Sequence, residues 1–398
     1  HRDLHSFPTR RSSDLCHLKG LPRSVFDKHV RRLDADKHCK GFRAWDQLIA
    51  LMYAQISGAT SLREVETGFN SQKRHHYHLG TRAVRRSTLA DANHKRPAAL
   101  FESLCQHLMA KAGRRFRQDV GDFLYLLDST PIPLKGLGYD SWTKDNHSHR
   151  TQGLKVHVLM TPDTCTPLES IITAPNVNDI EVGRQIPVEK GQTYVFDKGY
   201  CDYNWWYQIH CSGAYFVTRF KSNAGVDIQE ERTLNEREHP QILDDQLVSF
   251  RNKRPGGKRI NQYHGTPLRR VTVKREDGRP PLVLATNDQE TPAHIIAERY
   301  KARWGIELFF KWLKQNLKIR KFLGRSENAV KIQIFTALIT YLLLQINHAL
   351  SATPDSLRHY LTELRAGLFQ RRETDHELLI RRRRNQFEWQ RVQGVLPL

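Results

Sequence analysis

Residues 300–314 read YKARWGIELFFKWLK, and the spacing of polar and apolar residues in this stretch predicts a helix with two unlike faces. At about 100° per residue, five polar side chains share an arc of roughly 80°. They are Tyr300, Arg303, Glu307, Lys311 and Lys314. The opposite side carries an apolar stripe made of Ile306, Phe309, Phe310, Leu313 and Leu317. This stripe predicts that the helix packs on a core and presents one carboxylate among cations on its other face.

The polar face of this helix has an ordinary explanation as well as a functional one. Surface helices carry ion pairs between residues four apart, and Glu307 and Lys311 have that spacing. In the functional interpretation, Glu307 meets acidic groups that come from other parts of the chain. The helix alone leaves both interpretations open.

Two aspartates follow short apolar runs that predict buried strands. Asp128 comes directly after residues 123–127, and Asp197 comes after residues 194–196. We therefore expect both carboxylates at the rim of a sheet, where ligands of open α/β sheets bind. An isolated aspartate at such a place is more often a turn or cap residue. Together with Glu307, however, the two supply three oxygen ligands of the kind that a pair of Mg²⁺ ions prefers.

The chain between these residues predicts an α/β fold, with a mixed sheet flanked by helices. Strand-like runs occur at 123–127, 156–160, 168–174, 194–196 and 215–220, with a helix predicted at 179–187. Residues 222–281 are polar and predict an inserted, mostly β segment with a basic turn at 251–259. A strand returns at 282–285. Thr291 and Pro292 then open one long helix, behind which a buried helix at 330–350 packs.

The segment before the sheet, residues 16–115, is helical in pattern. Trp45, Leu48, Ile49, Leu51, Met52 and Ile56 predict an amphipathic helix. Ser61 and Glu64 predict a helix start, and a second short helix follows Ser87. A basic connection lies between these two helices, at 73–86. Small helices joined by basic residues favour a DNA-binding module of the helix-turn-helix kind, although a solvated helical bundle stays open.

The two ends of the chain differ from the rest. Residues 1–15, HRDLHSFPTRRSSDL, resemble translated sequencing adapter, and we expect them to be non-native. Residues 353–398 predict a basic helical tail that contains four consecutive arginines, Arg381 to Arg384.

Charge narrows the classes of partner. The chain has 63 Lys and Arg against 42 Asp and Glu, a formal net charge of +21, which favours nucleic acid first and an anionic membrane surface second. Membrane insertion is not expected, because the most apolar stretch, 334–346, is interrupted by polar residues and too short to span a bilayer. The six cysteines form no CxxC pair, which argues against a zinc ribbon or disulfide framework and favours a reduced, cytoplasmic protein.

Three motifs resemble those of a known family. The spacing of Tyr300, Arg303, Glu307 and Lys314 resembles the YREK signature of bacterial DDE transposases, in the branch named after insertion sequence four. YLLDST at 125–130 resembles the first aspartate motif of this family, and VFDKGY at 195–200 resembles the second. The resemblance extends from about residue 18 to residue 350.

The resemblance implies a transposase with an RNase H-like catalytic domain at 116–352. Asp128, Asp197 and Glu307 would bind two Mg²⁺ ions, or Mn²⁺, for strand cleavage and strand transfer without a covalent protein–DNA intermediate. The residues implied to hold DNA phosphates are Tyr300, Arg303, Lys311 and Lys314. Gly199 would allow a tight turn after the second aspartate. The implied partners are double-stranded DNA, as inverted-repeat transposon ends and target, and a second copy of the chain in a homodimeric synaptic complex beside the bacterial nucleoid.

Two other functions remain as alternatives. One is a catalytically inactive or domesticated transposase that only binds DNA, and the other is a nuclease of RNase H fold that cuts without strand transfer. Three clustered carboxylates argue against the inactive protein, because they repel phosphate unless metal ions neutralise them. The insertion and the basic helix face favour transposition over simple cutting.

Overall fold

The computed structural model describes residues 21–116, 124–146, 151–234, 239–255, 257–351 and 355–366. The helices are α1 (Arg23–Arg32), α2 (Ala44–Ser57), α3 (Leu62–Asn70), α4 (Lys73–Leu79), α5 (Arg86–Lys95), α6 (Ala98–Phe116), α7 (Asp179–Gly183), α8 (Tyr203–Cys211), α9 (Ala293–Ala302), α10 (Trp304–Asn316), α11 (Glu327–Ser351) and α12 (Leu357–Ala366). The strands are β1 (Leu124–Pro133), β2 (Lys144–Asn146), β3 (Thr151–Thr161), β4 (Thr166–Thr173), β5 (Thr193–Phe196), β6 (Tyr215–Arg219), β7 (Val226–Glu231), β8 (Ile242–Phe250), β9 (Leu268–Val273) and β10 (Leu282–Thr286). Residues 1–15, which we expect to be non-native, and most of the predicted basic tail at 353–398 lie outside the described residues.

All of these strands belong to one mixed sheet, in the order β2-β3-β1-β5-β6-β10-β9-β8-β7, with β4 also paired to β3. β1 pairs antiparallel with β3 but parallel with β5, and β5 pairs parallel with β6. The strands from β6 through β10 to β7 are antiparallel. The predicted mixed α/β fold is therefore confirmed.

The inserted segment is β-rich, as predicted, but it is not a separate sheet. Its strands β7, β8 and β9 continue the central sheet, because β9 pairs with β10 and β10 pairs with β6. The aromatic residues of α8 and of the neighbouring strands form the core at this junction. Trp206 is fully buried, and its ring lies 5.0 Å from that of Phe216. The sheet is thus one continuous scaffold beneath both the central strands and the insertion.

Contacts divide the chain into two units, one formed by the described residues before Asn93 and from Leu343 onward, the other by Asn93–Leu342. Helix α6 contacts β4 and so belongs with the sheet, although its sequence lies within the segment that we predicted as the N-terminal module. The functional assignment of the N-terminal segment stays a prediction.

Within the first unit, two helices differ from what we predicted from the sequence. α2 is not amphipathic, because twelve of its fourteen residues are buried, including Asp46 and Gln47. Asp46 is stabilised there by hydrogen bonds from the Arg43 amide and the Thr81 hydroxyl. The supposed connection at 73–86 contains the helix α4. The predicted cap is confirmed, since the Glu64 amide donates to the Ser61 hydroxyl at 3.2 Å.

Helix α11 corrects the argument about membranes. It has 25 residues and is apolar and long enough to cross a bilayer, so the judgement that the stretch is too short was wrong. However, 83% of its most apolar window is buried inside the protein, which is typical of a core helix. Ile332 and Ala337 of this helix are fully buried, in agreement with the predicted buried helix.

Gly153 provides a test of the pairing between β1 and β3. Its φ is +142°, and a Cβ atom there would lie 2.1 Å from the backbone oxygen of Ile132. Gly153→Ala is therefore expected to lower the free energy of unfolding by about 1–3 kcal/mol, measured from urea denaturation. Gly225→Ala is the matched control, because its Cβ would meet no atom within 4 Å. Equal midpoints for the two variants would contradict this account.

Candidate active site

The two predicted aspartates lie side by side on neighbouring strands. The parallel pairing of β1 with β5 ends at Leu127 and Phe196, so Asp128 and Asp197 are the next residue on each strand. Asp197 lies after the end of β5, as expected. Asp128 does not end a strand, because β1 continues to Pro133 in its pairing with β3. The rim therefore exists because β5 stops, and the first carboxylate lies in the middle of the longer β1.

Helix α10 brings Glu307 to the same place. The predicted apolar stripe is confirmed, since its residues are all buried, and α10 packs on β1. The single long helix expected here is in fact two helices, α9 and α10, which meet at Arg303. Arg303 keeps right-handed helical dihedral angles (φ −52°, ψ −30°), so the polar face continues across the junction. The break therefore leaves the predicted set of polar residues together.

Each of the three carboxylates forms a short hydrogen bond with an arginine. Arg303 donates from Nη1 to Oδ2 of Asp128 at 2.9 Å and from Nη2 to Oε1 of Glu307 at 2.5 Å. Asp197 receives a hydrogen bond at 2.7 Å from Nη2 of Arg219. The hydroxyl of Tyr300 lies 3.5 Å from the same oxygen of Asp197. Glu307 thus forms its i,i+4 ion pair with Arg303, whose other amino group reaches Asp128 on a different element.

The remaining predicted residues differ in how close they come to the carboxylates. Lys314 is half-buried, and its ammonium group donates to the hydroxyl of Thr130, two residues after Asp128 on β1. Lys311 lies on the same helix but is exposed. The geometry therefore links Lys314 directly to the strand of the first aspartate, whereas Lys311 faces solvent.

Sequence reasoning missed two residues of this site. Arg219 ends the apolar strand β6, two strands from Asp128 in the sheet, and only the sheet order brings it to Asp197. Asp179 lies at the start of α7, and Oδ1 of its carboxylate accepts a hydrogen bond from the Ser129 hydroxyl at 3.0 Å. A polar residue that ends or follows an apolar run was the available signal for Arg219. No comparable signal marks Asp179.

Gly199 was expected to allow a tight turn after the second aspartate, and this reason is wrong. Its φ lies outside the left-handed region, so no turn demands a glycine there. Instead, a Cβ atom at this position would lie 2.9 Å from Oδ2 of Asp179. A larger residue here would displace the carboxylate of Asp179, which approaches the backbone of the second aspartate motif.

The two aspartates titrate in opposite directions. Burial raises the pKa of Asp128 to about 6, and the Ser129 amide and Arg303 only partly oppose that effect. Burial also acts to raise the pKa of Asp197, but the hydrogen bond and charge of Arg219 outweigh it, so this pKa is lowered. Burial, followed by the charge of Arg320, lowers the pKa of Lys314. Of the two aspartates, Asp128 is therefore the one whose burial is not offset by its neighbours.

The donor set fits hard divalent cations. Asp128 and Asp197 lie at the rim, Arg303 links Asp128 to Glu307, and the charges of Asp197 and Glu307 both act on Asp128. Carboxylate oxygens suit Mg²⁺ and Mn²⁺. The Nε atoms of Arg219 and Arg303 are buried, and neither has a hydrogen-bond acceptor among the described residues. Each arginine thus keeps a donor beyond those that it gives to the carboxylates. Such a cluster can bind cations and phosphate oxygens side by side.

The fold and this cluster define a class of protein, an α/β enzyme with an acidic site at the rim of a mixed sheet and basic groups around it. The chain matches the family described as Transposase DDE domain over residues 122–343, which includes all three carboxylates. Residues 17–82 match a domain of unknown function, DUF4372. The chain therefore belongs to the family of transposases with a DDE domain.

Two relatives and one solved structure are similar to the chain. It is 43% identical over 287 residues to "Putative transposase y4zB" of Sinorhizobium fredii, covering 72% of this chain and 78% of the relative. It is 27% identical over 261 residues to "Probable transposase for insertion sequence element IS5377" of Geobacillus stearothermophilus, covering 65% and 66%. A cryo-EM structure of the piggyBac transposase synaptic complex with hairpin DNA has a TM-score of 0.46 at 10% identity, covering 96% of this chain and 85% of that one.

The raised pKa of Asp128 gives a prediction about stability without metal. Between pH 4 and 6 the folded state holds more protons on Asp128 than the unfolded chain, where the pKa is near 3.8, so this group makes stability fall as pH rises. The free energy of unfolding of Asp128→Asn, relative to that of wild type, should therefore rise by up to about 3 kcal/mol from pH 4 to pH 7. The measurement is urea unfolding in EDTA.

Asp197→Asn is the control with the opposite sign. Its carboxylate has a lowered pKa and so stabilises the folded state above the unfolded pKa, an advantage that disappears as pH falls through the folded value. This variant should be less stable than wild type at pH 7, with the difference vanishing in acid. Parallel pH profiles for wild type and Asp128→Asn would show that Asp128 does not titrate as described.

Proposed function

We propose that the chain is an active transposase of the insertion-sequence-four branch with the YREK signature. It binds double-stranded inverted-repeat ends and catalyses metal-dependent strand cleavage and strand transfer into target DNA. The observation that carries this proposal is that Arg303 bridges Asp128 and Glu307, while Asp197 directly follows the strand that pairs with the strand of Asp128. A protein that only binds DNA has no need of three carboxylates at the place where phosphate would lie.

The proposed core is RNase H-like. Its support is the central part of the sheet, in which β3 and β4 are antiparallel to their neighbours and β5 and β6 run parallel to β1. The proposed catalytic aspartates come from the adjacent strands β1 and β5, and the glutamate comes from a helix packed on β1. The domain proposed for this core is 116–352, with the β-rich insertion at 222–281.

Asp128, Asp197 and Glu307 are proposed to hold two divalent ions, Mg²⁺ or Mn²⁺. When bound, such ions activate a water or a DNA 3′-hydroxyl and stabilise the leaving oxygen of an in-line displacement at phosphorus. The contribution of the protein is to fix the carboxylates by the pairing of β1 with β5 and by the packing of α10. Because burial raises the pKa of Asp128 to about 6, protons would compete with divalent ions for this carboxylate as the pH falls below that value.

The basic residues around the carboxylates are proposed to hold DNA. Arg303 offers a planar fork that matches phosphate, while Lys314 and Lys311 act as point charges. Tyr300 is buried, and its hydroxyl, which donates to Asp197 at 3.5 Å, is proposed to donate to a phosphate oxygen instead when DNA is bound. Arg219 joins this set, because its contact with Asp197 puts a guanidinium at the second aspartate.

The other parts of the proposal concern partners and place. Residues 16–115 are proposed to recognise the transposon end, and the basic tail at 353–398 to add non-specific affinity for DNA. A homodimer is proposed for the complex that pairs two ends, since each end needs its own set of carboxylates. The proposed place of action is the bacterial cytoplasm, at the nucleoid.

Substitution of any one carboxylate tests the catalytic proposal. Asp128→Ala, Asp197→Ala and Glu307→Ala should each reduce Mg²⁺-dependent cleavage by at least about 100-fold, while DNA binding survives. The measurement is nicking of a labelled fragment that carries the DNA flanking the reading frame, with a gel shift in parallel. Asp163→Ala is the matched control, an exposed aspartate between β3 and β4. Cleavage at the wild-type level by any of the three variants would remove that residue from the catalytic set.

The phosphate contacts are tested separately by salt dependence. Arg303→Ala and Lys314→Ala should each weaken binding to the cleaved end and lower the slope of log affinity against log salt by about one unit. Lys331→Ala is the control, since that lysine is paired with Glu327 on α11 at 2.6 Å. If the slopes of all three variants equal that of wild type, Arg303 and Lys314 do not contact phosphate.

A further inference from the structure

Asp179 lies between the two aspartate motifs and contacts both. On one side, Oδ1 of its carboxylate accepts from the Ser129 hydroxyl at 3.0 Å. Ser129 follows Asp128 directly, and its backbone amide donates to Oδ1 of Asp128 at 2.8 Å. Ser129 therefore connects the two acids: its hydroxyl bonds to Asp179, and its backbone amide bonds to Asp128.

On its other side, the carboxylate of Asp179 packs against the second motif. Oδ2 occupies the space above Gly199, where a Cβ atom would be only 2.9 Å away. Gly199 lies two residues after Asp197, in the 3₁₀ turn Lys198–Tyr200. A single carboxylate thus fits against the residues that follow both catalytic aspartates.

The negative charge of Asp179 is balanced within the same group of residues. Lys155 of β3 donates to Oδ1 of Asp179 at 3.0 Å and to the carbonyl of Val177 at 2.8 Å. His157, two residues further along β3, bonds to the Tyr200 hydroxyl at 3.1 Å. Burial lowers the pKa of His157 to about 4, so this imidazole is neutral at neutral pH. Lys155 is therefore the counter-charge of Asp179, and Asp179 adds little net repulsion to the nearby carboxylates.

We infer that Asp179 is a positioning residue of the active site, which fixes Asp128 through Ser129 and the turn after Asp197 through Gly199. Lys155 forms its ion pair at 3.0 Å. This inference rests on the proposed function, because it assumes that Asp128 and Asp197 hold divalent cations. It adds a fourth carboxylate whose role is to align the two aspartates, and removal of partners of this kind typically changes metal affinity by about 10- to 100-fold.

The test measures binding of Mn²⁺ alone to the full chain, without DNA, from the electron paramagnetic resonance signal of the free ion. Asp179→Ala should weaken binding by about 10-fold or more, in a sample whose circular dichroism in EDTA shows that it is folded. Asp179→Asn keeps an oxygen acceptor for Ser129 and Lys155, and it should restore affinity to near the wild-type value. Glu181→Ala, an exposed carboxylate on the same helix, is the matched control and should bind Mn²⁺ normally.

The outcomes separate the alternatives. Wild-type affinity in Asp179→Ala would overturn the inference. Equally weak binding in Asp179→Asn, Asp179→Ala and Asp128→Asn would also overturn it, because a direct ligand cannot be replaced by an amide. Normal Mn²⁺ binding by Asp128→Asn would instead defeat the proposed metal site itself, so the two failures are distinguishable.

A double substitution tests the contact with Gly199 independently. Gly199→Ala should weaken Mn²⁺ binding in the wild-type background, because the added Cβ displaces the carboxylate, but it should add no further loss in Asp179→Ala. Additive losses would contradict the contact. If Asp179→Ala fails to fold, Ser129→Ala replaces it, since it removes only the hydroxyl donor. Normal Mn²⁺ binding in Ser129→Ala would then reject the link to Asp128.

Discussion

The mutual repulsion of half-buried carboxylates is the constraint on which this structure depends. Two unit charges 4 Å apart interact by about 4 kcal/mol at an effective dielectric constant of 20, so a cluster of acids needs nearby cations. Each acid contacts a cation here, and Asp128 and Glu307 share the same one. Arg303 lies between Asp128 and Glu307, Arg219 binds Asp197, and Lys155 binds Asp179. The raised pKa of Asp128 shows where this compensation is incomplete.

The fold supplies these cations from elements far apart in the sequence. Arg219 ends β6 and Lys155 lies on β3, so the strand order around β1 and β5 brings both toward the carboxylates. Arg303 lies at the junction of α9 and α10, and the packing of α10 on β1 sets its distance to Asp128. Burial of the apolar stripe of α10 therefore has an electrostatic consequence, because it places the guanidinium of Arg303 next to Asp128.

Local packing and contacts between distant elements differ in how well they could be predicted from the sequence. Apolar runs predicted the strands at both aspartates, and helical spacing predicted the buried face of α10, because both are local patterns. Hydrophobic periodicity did not predict the break at Arg303, since the dihedral angles there stay helical. It also misjudged α2, in which polar residues such as Asp46 are buried with their own partners. Arg219 and Asp179 depend on strand order and on space beside Gly199, which no local pattern records.

The same balance of charge constrains how metal ions and DNA can be bound. Arg303 already uses two donors on Asp128 and Glu307, the residues proposed to hold divalent ions. A divalent cation bound to these oxygens would take over the role of the guanidinium, and a nearby phosphate would then offer the guanidinium a new partner. Binding of metal should thus favour binding of DNA at this site, and by linkage DNA should favour metal to the same degree. Arg303 is the physical link in this coupling, because one side chain cannot neutralise the acids and clamp phosphate with the same donors.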